Sequence, residues 1–85
     1  MRVKVLFFAS LREQLGTPGE ELELPGGVAT VGSLREHLST RGGAWASALE
    51  KRKNVRAAVN QDMAQPGAAI RAGDEIAFFP PVTGG

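Results

Sequence analysis

The order of short strand-forming runs around an amphipathic helix constrains the fold of this chain more than any other feature. β-Branched, aromatic and other apolar residues occur in short runs that end at turn residues such as Gly, Pro and Asn. Between the second and third runs, Thr30 is a candidate N-cap, and Val31, Leu34 and Leu38 follow at helical spacing. This order predicts an α+β fold, in which helices pack on one face of a mixed sheet of about five strands. The predicted strands are residues 3–9, 21–24, 55–59, 63–64 and 75–79.

The helical segments are less sharply bounded than the strands. The amphipathic helix is expected to end near residues 41–43, where two glycines follow an arginine. Ser10 is a candidate cap for a short helix over residues 11–15. Trp45 and Leu49 lie four residues apart, which predicts another short helix whose basic end, residues 51–53, faces its own carbonyl dipoles. We expect Trp45 at the edge of the core.

Length and charge exclude several classes of protein. The 85 residues, 42% of them apolar, fit one domain, which we expect to span residues 1–79 and to leave 80–85 as a flexible tail. Ten Lys and Arg residues oppose nine Asp and Glu residues, and their scatter along the sequence argues against a nucleic-acid partner. No run approaches the ~20 apolar residues of a membrane span, and the N-terminal run is too short for a signal peptide. We therefore expect a cytoplasmic protein that binds neither membranes nor nucleic acid.

The sequence also offers little for catalysis by this chain alone. Cysteine is absent, which excludes disulfides, thiolate metal sites and a cysteine nucleophile. No set of nucleophile, base and metal-ligating residues stands out. A domain this small buries only about 60% of its unfolded surface, so a deep active site of its own is hard to build. We expect a chain that binds no metal and shares any active site with another protein.

The last six residues differ from the rest of the chain. Two prolines lack a backbone donor and fix φ, so they end the last strand and begin an extended segment. Two β-branched residues then favour extended geometry, and two final glycines are slim enough for a narrow channel in another protein. A frayed end can also carry glycines, but it needs no stiff segment before them. The segment consists of Pro80, Pro81, Val82, Thr83, Gly84 and Gly85.

The carboxyl group of Gly85 is the candidate reactive group. A carboxylate is a poor electrophile, but ATP can convert it into an acyl-adenylate, from which a sulfur nucleophile displaces AMP. The product is a thiocarboxylate, which spreads its charge over sulfur and oxygen. We expect it to be ionised at neutral pH, unlike a thiol with a pKa of ~8.5. A chain without cysteine can carry sulfur in this way.

Side-chain alternation along the first and last strands places two phenylalanines on the same face of the sheet. Phe8 shares its face with Leu6, and Phe79 shares its face with Ala77. If these strands pair, Phe8 lies beside Phe79, and Met63 on the short strand extends the patch. Exposed apolar patches on small domains often mark partner sites. Parity alone leaves open that both faces are covered within the domain.

Three stretches of the sequence resemble a known family. They are Val-Leu-Phe-Phe-Ala at 5–9 with Arg-Glu at 12–13, Ala-Val-Asn-Gln at 58–61, and Gly-Asp-Glu-Ile-Ala-Phe-Phe-Pro-Pro-Val-Thr-Gly-Gly at 73–85. With these motifs the chain resembles the small, MoaD-type subunit of molybdopterin synthase, a sulfur carrier. The likeness extends over nearly the whole chain, and the ending is its most specific part. The fold that this resemblance implies is the ubiquitin-like β-grasp.

The resemblance also implies a cycle of partners. An E1-like adenylyltransferase uses ATP to adenylate Gly85, and a sulfur donor protein completes the thiocarboxylate. The tail then inserts into the large synthase subunit, in a heterotetramer, and donates sulfur to the pterin precursor of the molybdenum cofactor. The carrier binds no cofactor of its own, and nucleotide is attached only as the transient acyl-adenylate. By position, Phe8, Met63 and Phe79 match the contact surface of the family, and Arg12 is a candidate contact with an acidic partner surface.

Other functions use the same ending. A sulfur carrier for thiamine or tRNA thiolation and a ubiquitin-like protein modifier both rely on adenylation of a terminal glycine. An interaction domain with an inert tail would need neither glycine. These alternatives stay open at the level of the sequence.

Overall fold

The structure, a computed structural model, describes residues 1–81, which form a five-stranded sheet and three helices. The sheet has the strand order β2-β1-β5-β3-β4. β1 and β5 run parallel at its centre, and the other neighbours run antiparallel. The strands are β1 (Arg2–Phe7), β2 (Gly19–Glu23), β3 (Arg56–Val59), β4 (Asp62–Ala64) and β5 (Glu75–Phe79), and the helices are α1 (Ala9–Leu15), α2 (Val31–Ser39) and α3 (Gly43–Ala48).

The core lies between one face of the sheet and the helices. Alternate residues of the two central strands point into it, and the register sets Val5 beside Ile76 and Phe7 beside Phe78. The rings of Phe7 and Phe78 are stacked with centroids 6.3 Å apart, and Trp45 meets the edge of Phe7 at 5.4 Å. Helices contribute Leu11, Val31, Leu34, Leu38 and Ala48 to the same cluster. The predicted α+β fold and the position of Trp45 at the edge of the core are confirmed.

The start of α2 follows the sequence prediction closely. The side chain of Thr30 accepts a hydrogen bond from the backbone N–H of Ser33, and the Ser33 hydroxyl accepts one from the backbone N–H of Thr30. Gly32 has low helix propensity, but its N–H donates to the carbonyl oxygen of Pro66 at 2.8 Å. A Cβ at Gly32 would lie 3.1 Å from that oxygen. The glycine therefore permits the 66–69 segment to pack tightly against the beginning of the helix.

Three helix boundaries were predicted wrongly. α1 begins at Ala9 with Phe8 at its N-cap, so Ser10 does not cap it. The N–H of Phe8 donates to the carbonyl of Phe78, which holds the chain against β5 until the helix starts. α2 ends at Ser39 because the N–H groups of residues 41 and 42 donate to carbonyls only three residues back, and Gly42 takes a positive φ of 76°. α3 ends at Ala48, so residues 51–53 lie in a turn beyond it, outside its last turn.

Hydrogen bonds from the guanidinium group of Arg35 explain why α3 ends at Ala48. Its Nε donates to the carbonyl of Leu49 at 2.9 Å, and its Nη2 donates to the carbonyls of Glu50 at 2.5 Å and Lys53 at 2.7 Å. Desolvation lowers the pKa of this guanidinium from its ordinary value. One side chain on α2 thus fixes the backbone of the basic turn, a long-range contact that local periodicity does not reveal.

The strand predictions differ from the structure mainly at their ends. β5 has the predicted bounds, and β4 begins one residue earlier than predicted, at Asp62. β1 stops at Phe7 instead of residue 9, and β2 occupies Gly19–Glu23 instead of 21–24. None of the helices described here is long and apolar enough to cross a membrane.

Candidate functional site

The face of the sheet opposite the helices, called the open face here, has a polar half and an apolar half. Cross-strand partners form one apolar row through Leu6, Ala77, Ala58 and Met63. The polar half lies toward the start of β1 and β5, where charges of both signs alternate across the strands. It carries Arg2, Lys4, Glu21, Glu23 and Glu75.

The apolar half is exposed at two of the residues for which the sequence predicted a partner site. Phe8 is 46% exposed and Met63 is 62% exposed, and these are the large hydrophobic residues that stand out on the described surface. Phe8 keeps an extended backbone, with φ −124° and ψ 157°, and therefore continues the face of Leu6. Phe79 lies on the same face but is half-buried. The apolar patch, defined by its residues, consists of Leu6, Phe8, Ala58, Met63, Ala77 and Phe79.

The tail leaves the sheet beside this patch. β5 lies between β1 and β3, so the chain beyond Phe79 departs from the centre of the sheet rather than from an edge. The N–H of Phe8 donates to the carbonyl of Phe78 at 3.1 Å, which fixes Phe8 next to the end of β5. Pro80 and Pro81 follow and are half-buried. Val82, Thr83, Gly84 and Gly85 lie outside the described residues, so their predicted roles stay predictions.

Charges are distributed unevenly between the two ends of the sheet. Arg56 is the cross-strand partner of Phe79 and is exposed on the open face at the end where the tail leaves. Arg12 is exposed on α1, one turn after Phe8. At the opposite end, hydrogen bonds from the side chain of Asn60 and from the backbone N–H of Arg71 lower the pKa of Asp74.

A groove of about 750 Å³ lies on the other side of β3 and β4, under α2 and the turn after α3. Met63 lines this groove as well as the patch, so apolar surface continues around the β4 edge of the sheet. Among residues 1–81, no cluster of three or more His, Asp or Glu side chains is placed to hold a metal ion.

The structure brings together the residues that the sequence singled out, as far as it describes them. Phe8, Met63 and Phe79 share the open face, as strand parity predicted. Their role in binding a partner stays a prediction, as does that of Arg12. Sequence reasoning missed Ala58 and Arg56, because their place beside Phe79 and Met63 depends on the register of β3, which local patterns do not give.

A five-stranded mixed sheet of this order, covered by helices on one face, defines a ubiquitin-like β-grasp domain. It superposes on SAMP1, a small archaeal modifier protein from Haloferax volcanii, with a TM-score of 0.79 at 32% identity over all of both chains. Residues 5–85 match the model of the ThiS family, and the chain belongs to that family.

Two bacterial proteins are similar along their entire length. The molybdopterin synthase sulfur carrier subunit of Haemophilus influenzae is 48% identical over 83 residues, which cover 98% of this chain and 99% of the relative. The protein of the same name from Escherichia coli is 47% identical with the same coverage. The family that the sequence motifs suggested is thereby confirmed.

Proposed function

We propose that this chain is the sulfur-carrier subunit of a molybdopterin synthase and that Gly85 is its reactive residue. The observation that carries the proposal is the apolar patch at the point where the Gly-Gly tail leaves the sheet. The relatives that are 47–48% identical, and are matched over 99% of their own length, bear this function in their names. An exposed apolar patch beside the point where the tail leaves the sheet is suited to docking on the enzymes that load and unload the tail.

The chemistry proceeds at the terminal carboxylate. A carboxylate oxygen of Gly85 attacks the α-phosphorus of ATP on an adenylyltransferase, and pyrophosphate leaves. The terminal sulfur of a persulfide on a donor protein then attacks the acyl carbon, and AMP leaves as an acyl disulfide forms between carrier and donor. A thiol next attacks the sulfur of the donor, the S–S bond breaks, the thiocarboxylate leaves, and the thiol and the donor remain joined as a disulfide. ATP is thus a substrate of the activating enzyme, and the carrier itself retains no cofactor.

The large synthase subunit receives the loaded tail and supplies the pocket for the pterin precursor. Phe8, Met63 and Phe79 bury apolar area against the partner. Full burial of a completely exposed side chain of this kind contributes roughly 1.5–3 kcal/mol, and each of the three contributes less because part of it is already covered in the free domain. Loss of translational freedom and ordering of the tail offset much of this gain. Patch and tail therefore have to act together, the patch for affinity and the tail for chemistry.

The prolines and β-branched residues position the reactive end. Pro80 and Pro81 restrict the backbone just after β5, so less conformational entropy is lost when the tail enters a channel. Val82 and Thr83 favour extended backbone, and Gly84 leaves no side chain beside the reacting carbonyl. Bulk thus decreases toward the atom that must reach the active site.

The experiment is intact mass spectrometry after incubation with ATP, an adenylyltransferase and a sulfur donor. The expected product has one terminal oxygen replaced by sulfur, and a variant that lacks Gly85 should show no such change. Addition of the large subunit and the pterin precursor should return the original mass and yield molybdopterin. Thiocarboxylate formation without transfer to the precursor would exclude the molybdopterin pathway, and isopeptide-linked lysines on other proteins would instead indicate a modifier.

A further inference from the structure

The end of the sheet from which the tail leaves carries cations that the proposed chemistry does not use. Arg56 is the cross-strand partner of Phe79 on the open face. Lys53 lies three residues before Arg56, in the turn that leads into β3. Arg12 lies on α1, one turn after Phe8. All three are exposed. Within residues 1–81, none of the three forms an ion pair. These residues, Arg12, Lys53 and Arg56, are called the basic rim.

The net charge of +1 conceals this asymmetry. At the opposite end of the sheet, Asp74 and Glu75 begin β5, and Asp62 begins β4. The cations there have carboxylates nearby: Arg2 forms an ion pair with Glu21, and Lys4 has Glu21 and Glu75 as cross-strand partners. Arg71 forms no ion pair within residues 1–81, but its charge helps to lower the pKa of Asp74. At the tail end, Glu13 follows Arg12 in sequence. Arg56 has Phe79 rather than a carboxylate as its cross-strand partner, so its charge is uncompensated beside the apolar patch.

The backbone of the rim is held in place by the fold. Arg35 binds the carbonyls of Glu50 and Lys53, so the turn that presents Lys53 is tied to α2. Arg56 is the first residue of β3 and pairs with Phe79 of β5. Charges on a fixed backbone lose less entropy on binding than charges on a disordered arm, which favours a role in recognition.

We propose that the basic rim binds a carboxylate-bearing surface of the protein that covers the apolar patch. The proposal rests on the proposed function, in which that protein is the large synthase subunit. An apolar centre edged by charge is the usual anatomy of a protein interface, and the edge needs a partner of opposite sign. Rim charges act mainly on the association rate, because they steer the encounter before the apolar surfaces meet.

A nucleic-acid partner fits these observations less well. Proteins that bind single strands combine cations with exposed aromatic side chains on which bases stack, along a groove that follows the backbone. Arg56 borders the apolar patch and also lines the groove under α2, but the aromatic residue of that groove, Phe78, is 1% exposed and offers no face on which a base could stack. Binding to RNA is therefore retained only as an outcome of the test.

The experiment compares Arg56→Glu with Arg71→Glu in stopped-flow association with the large subunit over a series of salt concentrations. Both arginines are exposed and free of ion pairs within residues 1–81, and both substitutions change the charge equally, but Arg71 lies near the start of β5, away from the patch. At low salt we expect Arg56→Glu to slow association about tenfold and Arg71→Glu to have little effect. The difference should vanish near 1 M salt, where the screening length is about 3 Å. Arg56→Gln, which removes charge without reversing it, should give a smaller loss of the same kind.

Equal effects of the two reversals, or a loss that is the same at every salt concentration, would overturn the proposal. So would single-stranded RNA binding that Arg56→Glu abolishes while association with the large subunit stays unchanged. If the wild-type chain transfers sulfur and the Arg56→Glu variant associates with the large subunit as fast as the wild-type chain, the rim proposal is wrong and the proposed function stands. If the wild-type chain neither binds the large subunit nor transfers sulfur, the proposed function fails and the rim proposal with it.

Discussion

Phe8→Ala is expected to weaken binding of the large synthase subunit without unfolding the carrier. Phe8 is 46% exposed, so roughly half of its side chain is still available for burial in a complex. Full burial of a phenylalanine contributes up to about 3 kcal/mol, and half of that is about 1.5 kcal/mol. Since about 1.4 kcal/mol corresponds to a tenfold change in affinity, Kd should rise about tenfold. The backbone bond from Phe8 to Phe78 does not need the side chain and should survive.

The neighbouring residue provides a matched control. Phe7 is 1% exposed and belongs to the core, and truncation of such a ring costs about 3–5 kcal/mol of the free energy of unfolding. An exposed substitution such as Phe8→Ala usually changes that free energy by less than about 0.5 kcal/mol. For a domain of this size, about 1 kcal/mol shifts Tm by about 4–8 °C. The two adjacent alanine variants should therefore separate clearly in a thermal melt.

Titration calorimetry with the large subunit and differential scanning calorimetry of the free carrier together test this reasoning. A Phe8→Ala variant that melts as early as Phe7→Ala, or one that binds the large subunit with unchanged Kd, would refute it. The first result would place Phe8 in the core, and the second would place the interface elsewhere on the molecule.

Three further predictions concern other parts of the chain. Phe79→Ala should also weaken binding of the partner with little loss of stability, whereas Phe78→Ala should unfold the domain; equal drops in Tm for the two would show that Phe79 serves the core. Arg35→Met should lower the free energy of unfolding by about 1.5–3 kcal/mol in urea, because charge-assisted bonds to the carbonyls of the basic turn are lost, and an unchanged midpoint would contradict this. Asp74 has a pKa below its ordinary value of 3.8, so its contribution to stability is present above that value and is lost as pH falls through the lower, folded pKa. Asp74→Asn should therefore make the free energy of unfolding less dependent on pH in this acid range. Chemical denaturation at several pH values measures this, and the same pH dependence in the variant and the wild-type chain would contradict the prediction.

Local sequence patterns predicted the elements whose cause is local. β5 has the predicted bounds because an apolar run is closed on one side by the turn at Gly73 and on the other by Pro80. The cap at Thr30 follows from a side chain and a helix pattern that are adjacent in sequence. Alternation in β1 and β5 was enough to place Phe8 and Phe79 on one face of the sheet.

The missed features all depend on contacts between distant parts of the chain. The short α3 and the turn after it are set by Arg35, which lies on another helix. The 66–69 segment is ordered against the start of α2, including a bridge between Thr30 and Ala69. Arg56 enters the candidate site only through the pairing of β3 with β5. Periodicity reads a single element at a time, so it cannot report such pairings.

The central position of β5 limits how far Gly85, the proposed reactive residue, can lie from the sheet. β5 is hydrogen-bonded to a strand on each side, so the last anchored residue is Phe79, and six residues remain beyond it. A fully stretched chain spans at most about 3.3–3.6 Å per residue, which gives a maximum reach of about 20 Å. The length of the tail therefore sets a maximum distance. In any enzyme that uses this carrier, the reacting centre must lie within about 20 Å of the point where Phe79 docks.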